Sequence, residues 1–107
     1  MEEEDQRTKM ETVIASALKK SIDYVKNLRD KKDENDVFKT LLDTDIELYE
    51  RILDFVSEHN QTAVLNMLAN MEADTRHYFL FYLKKFVPLE DWHHVENYLD
   101  IKLAKQW

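Results

Sequence analysis

Residues 10–28 read METVIASALKKSIDYVKNL, and the apolar members Met10, Val13, Ile14, Ala17, Leu18, Ile22, Tyr24, Val25 and Leu28 recur mostly three and four positions apart. That spacing follows the turn of an α-helix and gathers the apolar side chains on one face. Glu2, Glu3, Glu4 and Asp5 place negative charge at its start, and Lys26 to Lys32 place positive charge at its end. Both charges complement the helix dipole, so a helix from about Asp5 to about Lys31 is expected.

Outward from this stripe the whole chain lacks glycine and holds one proline, Pro88, in 107 residues. Average usage of about 7% would supply seven or eight glycines. Glycine is the usual residue where backbone takes positive φ or approaches a ligand closely, so phosphate-cradling loops, dinucleotide fingerprints and tight glycine hairpins are excluded. Activity is therefore expected on helix faces.

Lys31 to Asp36 contains no apolar residue and reads as a connection, with Asn35 or Asp36 as the cap of a second helix. Val37, Phe38, Leu41, Leu42, Ile46, Leu48, Tyr49, Ile52, Leu53, Phe55 and Val56 carry that helix to about Ser57. Within it Thr44-Asp45-Ile46-Glu47 matches a capping box, which marks a break near Asp43. The apolar period continues across that point, so one helix, kinked at most, is the expectation. Asn60 is expected as a left-handed cap before a short helix from Gln61 to about Met71. Asp74 or Thr75 is expected to cap a fourth helix through Phe86. Its segment Tyr78-Phe79-Leu80-Phe81-Tyr82-Leu83 is apolar around its circumference, which assigns residues 77–86 to the centre of the core. Pro88 stops that helix and starts the last, whose stripe is Leu89, Trp92, Val95, Leu99 and Leu103.

The fold class expected is all-α: one compact domain over residues 1–107 with about five helices, two long and antiparallel and three shorter ones packed on them. The absence of cysteine removes disulfides, thiolate ligands and cysteine nucleophiles, and makes a reducing, cytoplasmic setting the expectation. An acidic start, Met1-Glu2-Glu3-Glu4-Asp5, is opposite to an export signal, and the longest apolar run, Tyr78 to Leu83, is far short of the ~20 residues that span a bilayer. A soluble protein without a membrane partner follows.

Net charge is −7, unevenly placed. Lys19, Lys20, Lys26, Arg29, Lys31 and Lys32 outnumber Asp23 and Asp30 across residues 19–32, whereas residues 33–60 carry nine acids against Lys39 and Arg51. The acidic face marked by Asp43, Glu47, Glu50 and Asp54 suits a basic protein surface. Eight of the twelve aromatic residues lie between Tyr78 and Trp107, more than a small core needs, and Phe81, Tyr82 and Trp107 are candidates for an aromatic contact with a partner. The leading expectation is a non-catalytic interaction or regulatory module that binds another protein or a second copy of itself as a homodimer. The alternative is a nucleic-acid-associated regulator using the six basic residues of helix one.

Asp74-x-x-His77 and Glu90-x-x-His93 have the spacing that puts two metal ligands on one helix face. Four histidines among 22 acids in 107 residues give nearly one such pair by chance, and a di-metal bundle needs further inward carboxylates, for which Asp45 is a candidate. Surface histidines are the plainer reading, so no metal or cofactor is assigned. Of His93 and His94, ~100° apart on a helix, one is expected beside the core and one in water. Residues 62–86 fit a helix-turn-helix only poorly, because the second helix is Tyr-Phe-Leu-Phe-Tyr-Leu where base-reading helices expose Arg, Asn, Gln or Lys. No serine stands in a nucleophile pattern with a histidine, and no catalytic residue is assigned.

Overall fold

The computed structural model describes residues 2–101, which form five helices: α1 (Glu2–Asp30), α2 (Val37–Ser57), α3 (Gln61–Asn70), α4 (Ala73–Phe86) and α5 (Leu89–Leu99). The fold is all-α, and no strand occurs among the described residues.

The stripe of α1 is the spine. Met10, Ile14, Ala17, Leu18, Ile22 and Val25 are all buried, and α2, α4 and α5 each pack on that helix. Burial of each such side chain contributes about 1.5–3 kcal/mol, so this one face supplies a large share of the core. α1 and α2 run antiparallel: Arg29 near the end of α1 reaches Asp43 near the start of α2 at 3.1 Å, while Glu11 meets His59 just beyond the end of α2 at 2.8 Å. The molecule is elongated along this pair, about 51 × 26 × 24 Å.

Glycine-free turns are closed by other chemistry. Asp36 caps α2 by accepting from the Phe38 amide at 2.9 Å, as its position in the connection predicts. At the far end of α2 the Asn60 amide donates to the Phe55 carbonyl and the His59 amide to the Val56 carbonyl, the paired bonds of a Schellman turn. The left-handed residue is His59, with φ 60°, and not Asn60. Asn60 sits at φ −101° because its side-chain oxygen caps α3 through the Ala63 amide at 3.2 Å, and one residue cannot serve both conformations. Asp100, at φ 55°, closes α5.

α2 is unbroken at Asp43, as the continuing apolar period leads one to expect: the Thr44 hydroxyl donates back to the Thr40 carbonyl at 3.1 Å and caps nothing. Two further expectations are corrected. α4 begins at Ala73 behind Glu72, which makes no side-chain cap. Nor is α4 the centre of the core. Of its residues only Arg76, Phe79 and Leu83 are buried, while Tyr78 and Phe81 are more than half exposed. The centre belongs to α1, which is flanked on several sides, whereas α4 lies on α1 with its other flank free. Likewise Leu89 is exposed, His93 and His94 both face solvent, and Leu103 lies outside the described residues.

Buried Arg76 has a structural task. Its guanidinium donates to the carbonyls of Leu68 at 3.2 Å and Met71 at 2.8 Å, satisfying acceptors at the end of α3 that a glycine turn would otherwise close.

Candidate functional site

α2 and α4 both rest on α1, and a trough opens between them. Its α2 wall carries Phe38, Leu41, Leu42 and Asp45; its α4 wall carries Tyr78 and Tyr82, and Leu28 of α1 lies at its base. This hollow encloses about 340 Å³. A second hollow of about 680 Å³ shares Leu41 and Asp45 with it and continues along α2 past Leu48 to Phe55, opposite Met67 and Met71. From Phe38 to Phe55, at 1.5 Å per residue, the combined trough runs roughly 25 Å.

The rim is apolar where water would normally select polar residues. Phe38 is 63% exposed, Leu41 54%, Tyr78 52% and Phe81 58%. Aromatic rings line the α4 side in a connected series: Tyr82 lies 5.7 Å from Tyr24, 6.4 Å from Tyr78 and 5.6 Å from Phe81 between centroids. Cations of the chain itself sit over two of the rings, Lys85 over Tyr24 at 4.7 Å and Lys32 over Phe38 at 5.9 Å.

Asp45 is the acid of the trough. Burial pushes its carboxyl above the ordinary carboxylate range, since a charged group is disfavoured away from water. Four residues on, one turn deeper, Tyr49 is fully buried against Phe79 at 5.3 Å. Its hydroxyl lacks a hydrogen-bond partner, and burial, with the nearby charge of Asp45, raises its pKa. Tyr82 is shifted upward for the same first reason.

The residues named from sequence fall into separate places. At ~100° per residue, Asp43, Glu47, Glu50 and Asp54 share one face of α2, roughly opposite Leu41 and Asp45, so the acidic face and the trough are different surfaces. Asp43 pairs with Arg29 at 3.1 Å and Glu50 with Lys26 at 3.8 Å. The basic stretch of α1 is thus partly covered by the acidic face of α2: Arg29 also meets Asp30 at 3.2 Å, and these acids hold its guanidinium protonated. Lys19, Lys20 and Lys31 face solvent. Tyr82 lines the trough, Phe81 lies beside it at 5.6 Å between ring centroids without lining either hollow, and Trp107 lies outside the described residues.

The metal candidates stay apart. Asp74, His77, Glu90 and His93 are all exposed, and among the described residues no three His, Asp or Glu side chains come together to hold an ion. Asp45 lies in the trough beside tyrosines instead.

Sequence reasoning passed over a second polar cluster. Buried Glu11, on α1, accepts from the Tyr98 hydroxyl at 2.7 Å and meets His59 Nδ1 at 2.8 Å, while Gln61 donates to the Tyr98 carbonyl at 2.9 Å. An ionised carboxylate only accepts, so His59 presents its Nδ1–H there. The available signal was Glu11 itself, one position from Met10 and three from Ile14 on the apolar face, where a charged residue implies a partner.

Comparison with known proteins finds no match, whether to a family model, a curated protein or a solved structure. None of the described helices is long and apolar enough to cross a membrane.

Proposed function

We propose that this chain is a non-catalytic protein-interaction module that docks its partner in the trough between α2 and α4. The observation that carries this reading is the apolar set Phe38, Leu41 and Tyr78 lining the trough, each more than half exposed, with exposed Phe81 beside Tyr82. Scattered apolar side chains on a surface are ordinary, but a clustered set lining a concavity is the usual mark of a contact region. Large aromatic side chains contribute most of the binding energy at such surfaces. With the adjoining hollow between α2 and α3, the groove runs roughly 25 Å along α2 and has room for several turns of a partner helix, a common mode of recognition.

The nucleic-acid reading draws less support. Arg29 and Lys26, central to the basic stretch, already face acids of α2, and a net charge of −7 opposes approach to phosphate. The absence of cysteine keeps the cytoplasm as the expected setting.

The test uses Leu41→Asp combined with Phe81→Asp, two exposed positions whose replacement leaves the core intact. Circular dichroism is expected to show unchanged helicity. Proteins captured by the wild-type chain from its native source, or its own dimer measured by light scattering, are expected to be lost with the double variant. Equal capture and equal mass for both chains would end the proposal.

A further inference from the structure

Within that docking reading, the trough holds a more specific feature at Asp45. A half-buried carboxylate normally finds a hydrogen bond or a cation, because taking it from water is costly. No ion pair to Asp45 forms among the described residues; the hollow it shares with Phe38, Leu41, Leu42, Tyr78 and Tyr82 is also lined by Lys32, whose ammonium sits over Phe38, and in the adjoining hollow Asp45 borders Thr44, Asn66 and Glu72. One turn away the fully buried Tyr49 hydroxyl also lacks a partner, but it lines neither hollow. Asp45, half-buried and lining both, is the group that a donor from outside can reach.

The chemistry of that donor follows from the walls. Aromatic faces attract cations, and the chain already places Lys32 over Phe38 at the mouth of the same hollow. An acid at the base with rings on its sides selects an extended alkyl chain ending in positive charge: the chain packs on Leu41 and Leu42, and the head reaches Asp45. The volume of about 340 Å³ lies at the small end of the roughly 300–1,000 Å³ range of ligand clefts, enough for one side chain and too small for a folded surface.

We infer that the hollow between Phe38, Tyr78 and Tyr82 is a receptor for a lysine or arginine side chain presented by the partner protein, with Asp45 as counter-ion. A basic partner is favoured over a second copy because the chain carries −7, which sets two copies against each other. Lys32, a like charge at the mouth, competes with the incoming group and moves aside when it binds.

The test uses the full chain, with n-butylammonium and n-butylguanidinium as side-chain probes and n-pentanol as an uncharged isostere, followed by NMR of the tyrosine and phenylalanine rings. Saturable shifts at Phe38, Tyr78 and Tyr82 are expected with both cations, on the order of tenfold tighter than with pentanol. Asp45→Asn, checked for unchanged helicity, is expected to remove that preference, and Lys32→Ala to tighten cation binding. Equal affinity for pentanol and the cations overturns the inference, leaving an apolar docking surface and the proposed function intact. No response to any probe, in wild type or Lys32→Ala, overturns it as well; the Leu41→Asp and Phe81→Asp capture experiment then judges the docking function separately. A dimer whose formation protects the same rings and is lost with Asp45→Asn overturns the choice of partner in favour of a second copy.

Discussion

Tyr98 and Tyr49 are both buried tyrosines, and their surroundings differ in one respect. At one end of the α1–α2 pair the Tyr98 hydroxyl donates to Glu11, which also receives His59, so α1, α5 and the turn after α2 are tied by one carboxylate. In the middle of α2 the Tyr49 hydroxyl finds no partner beside Phe79, and Asp45, one turn earlier, forms no ion pair in a hollow lined by Phe38, Tyr78 and Tyr82. A satisfied buried network stabilises and specifies a core, whereas an unsatisfied one costs free energy and persists where something else is selected for. The first cluster stabilises the fold, and under the proposed reading the second leaves Asp45 open to a ligand.

Four substitutions bear on that contrast. Glu11→Ala strands the Tyr98 hydroxyl and opens a cavity, and is expected to destabilise by about 3 kcal/mol, read as a fall of more than roughly 10 °C in Tm. A loss under about 1 kcal/mol would break the comparison, since it would make the cluster idle. Tyr98→Phe removes one donor from the carboxylate and should cost about 1–2 kcal/mol in urea unfolding. Tyr49→Phe is expected to act in the opposite direction, gaining up to about 1 kcal/mol, because the hydroxyl it deletes is buried and unpaired. A destabilising Tyr49→Phe would mean that the hydroxyl has a partner in solution.

Asp45→Asn has the smallest effect, and its sign depends on pH. Burial raises the folded-state pKa of Asp45 above its unfolded value of 3.8, so between these two values the folded chain binds more protons and stability falls as pH rises. At neutral pH the charged carboxylate is a net cost that asparagine removes; below the unfolded value the advantage disappears. Unfolding curves at pH 7 and pH 3 for both chains check this, and an equal difference at the two pH values would contradict it.

The capping residues show how far local reading extends. Asp36 was legible because a cap needs only the next two residues to be helical, and Pro88 because its ring forbids helix continuation whatever surrounds it. Asn60 was misjudged, since two adjacent helix ends competed for the one residue and the right choice depends on how α3 leaves α2. The apolar run Tyr78 to Leu83 misled for a related reason. An all-round apolar helix implies a covering on every side, but half of that covering is absent, and the exposed half is the candidate site. Asp45 was noted only as a metal candidate, because periodicity shows that it interrupts a stripe without showing which helix faces it.

Sequence alone determined the all-helical class, the positions of the five helices to within a few residues, the absence of glycine-built ligand loops and the apolar stripe of residues 10–28. These depend on periodicity and backbone chemistry, which act over a turn or two. Only the tertiary structure decided that α1 is the centre, that the acidic face of α2 lies opposite its trough, that Glu11 joins Tyr98 across 87 positions, that Tyr49 is buried without a hydroxyl partner and that Asp45 lines a hollow walled by exposed rings. Those outcomes depend on which faces meet when several helices share one core, and that competition between distant surfaces leaves no mark in local spacing.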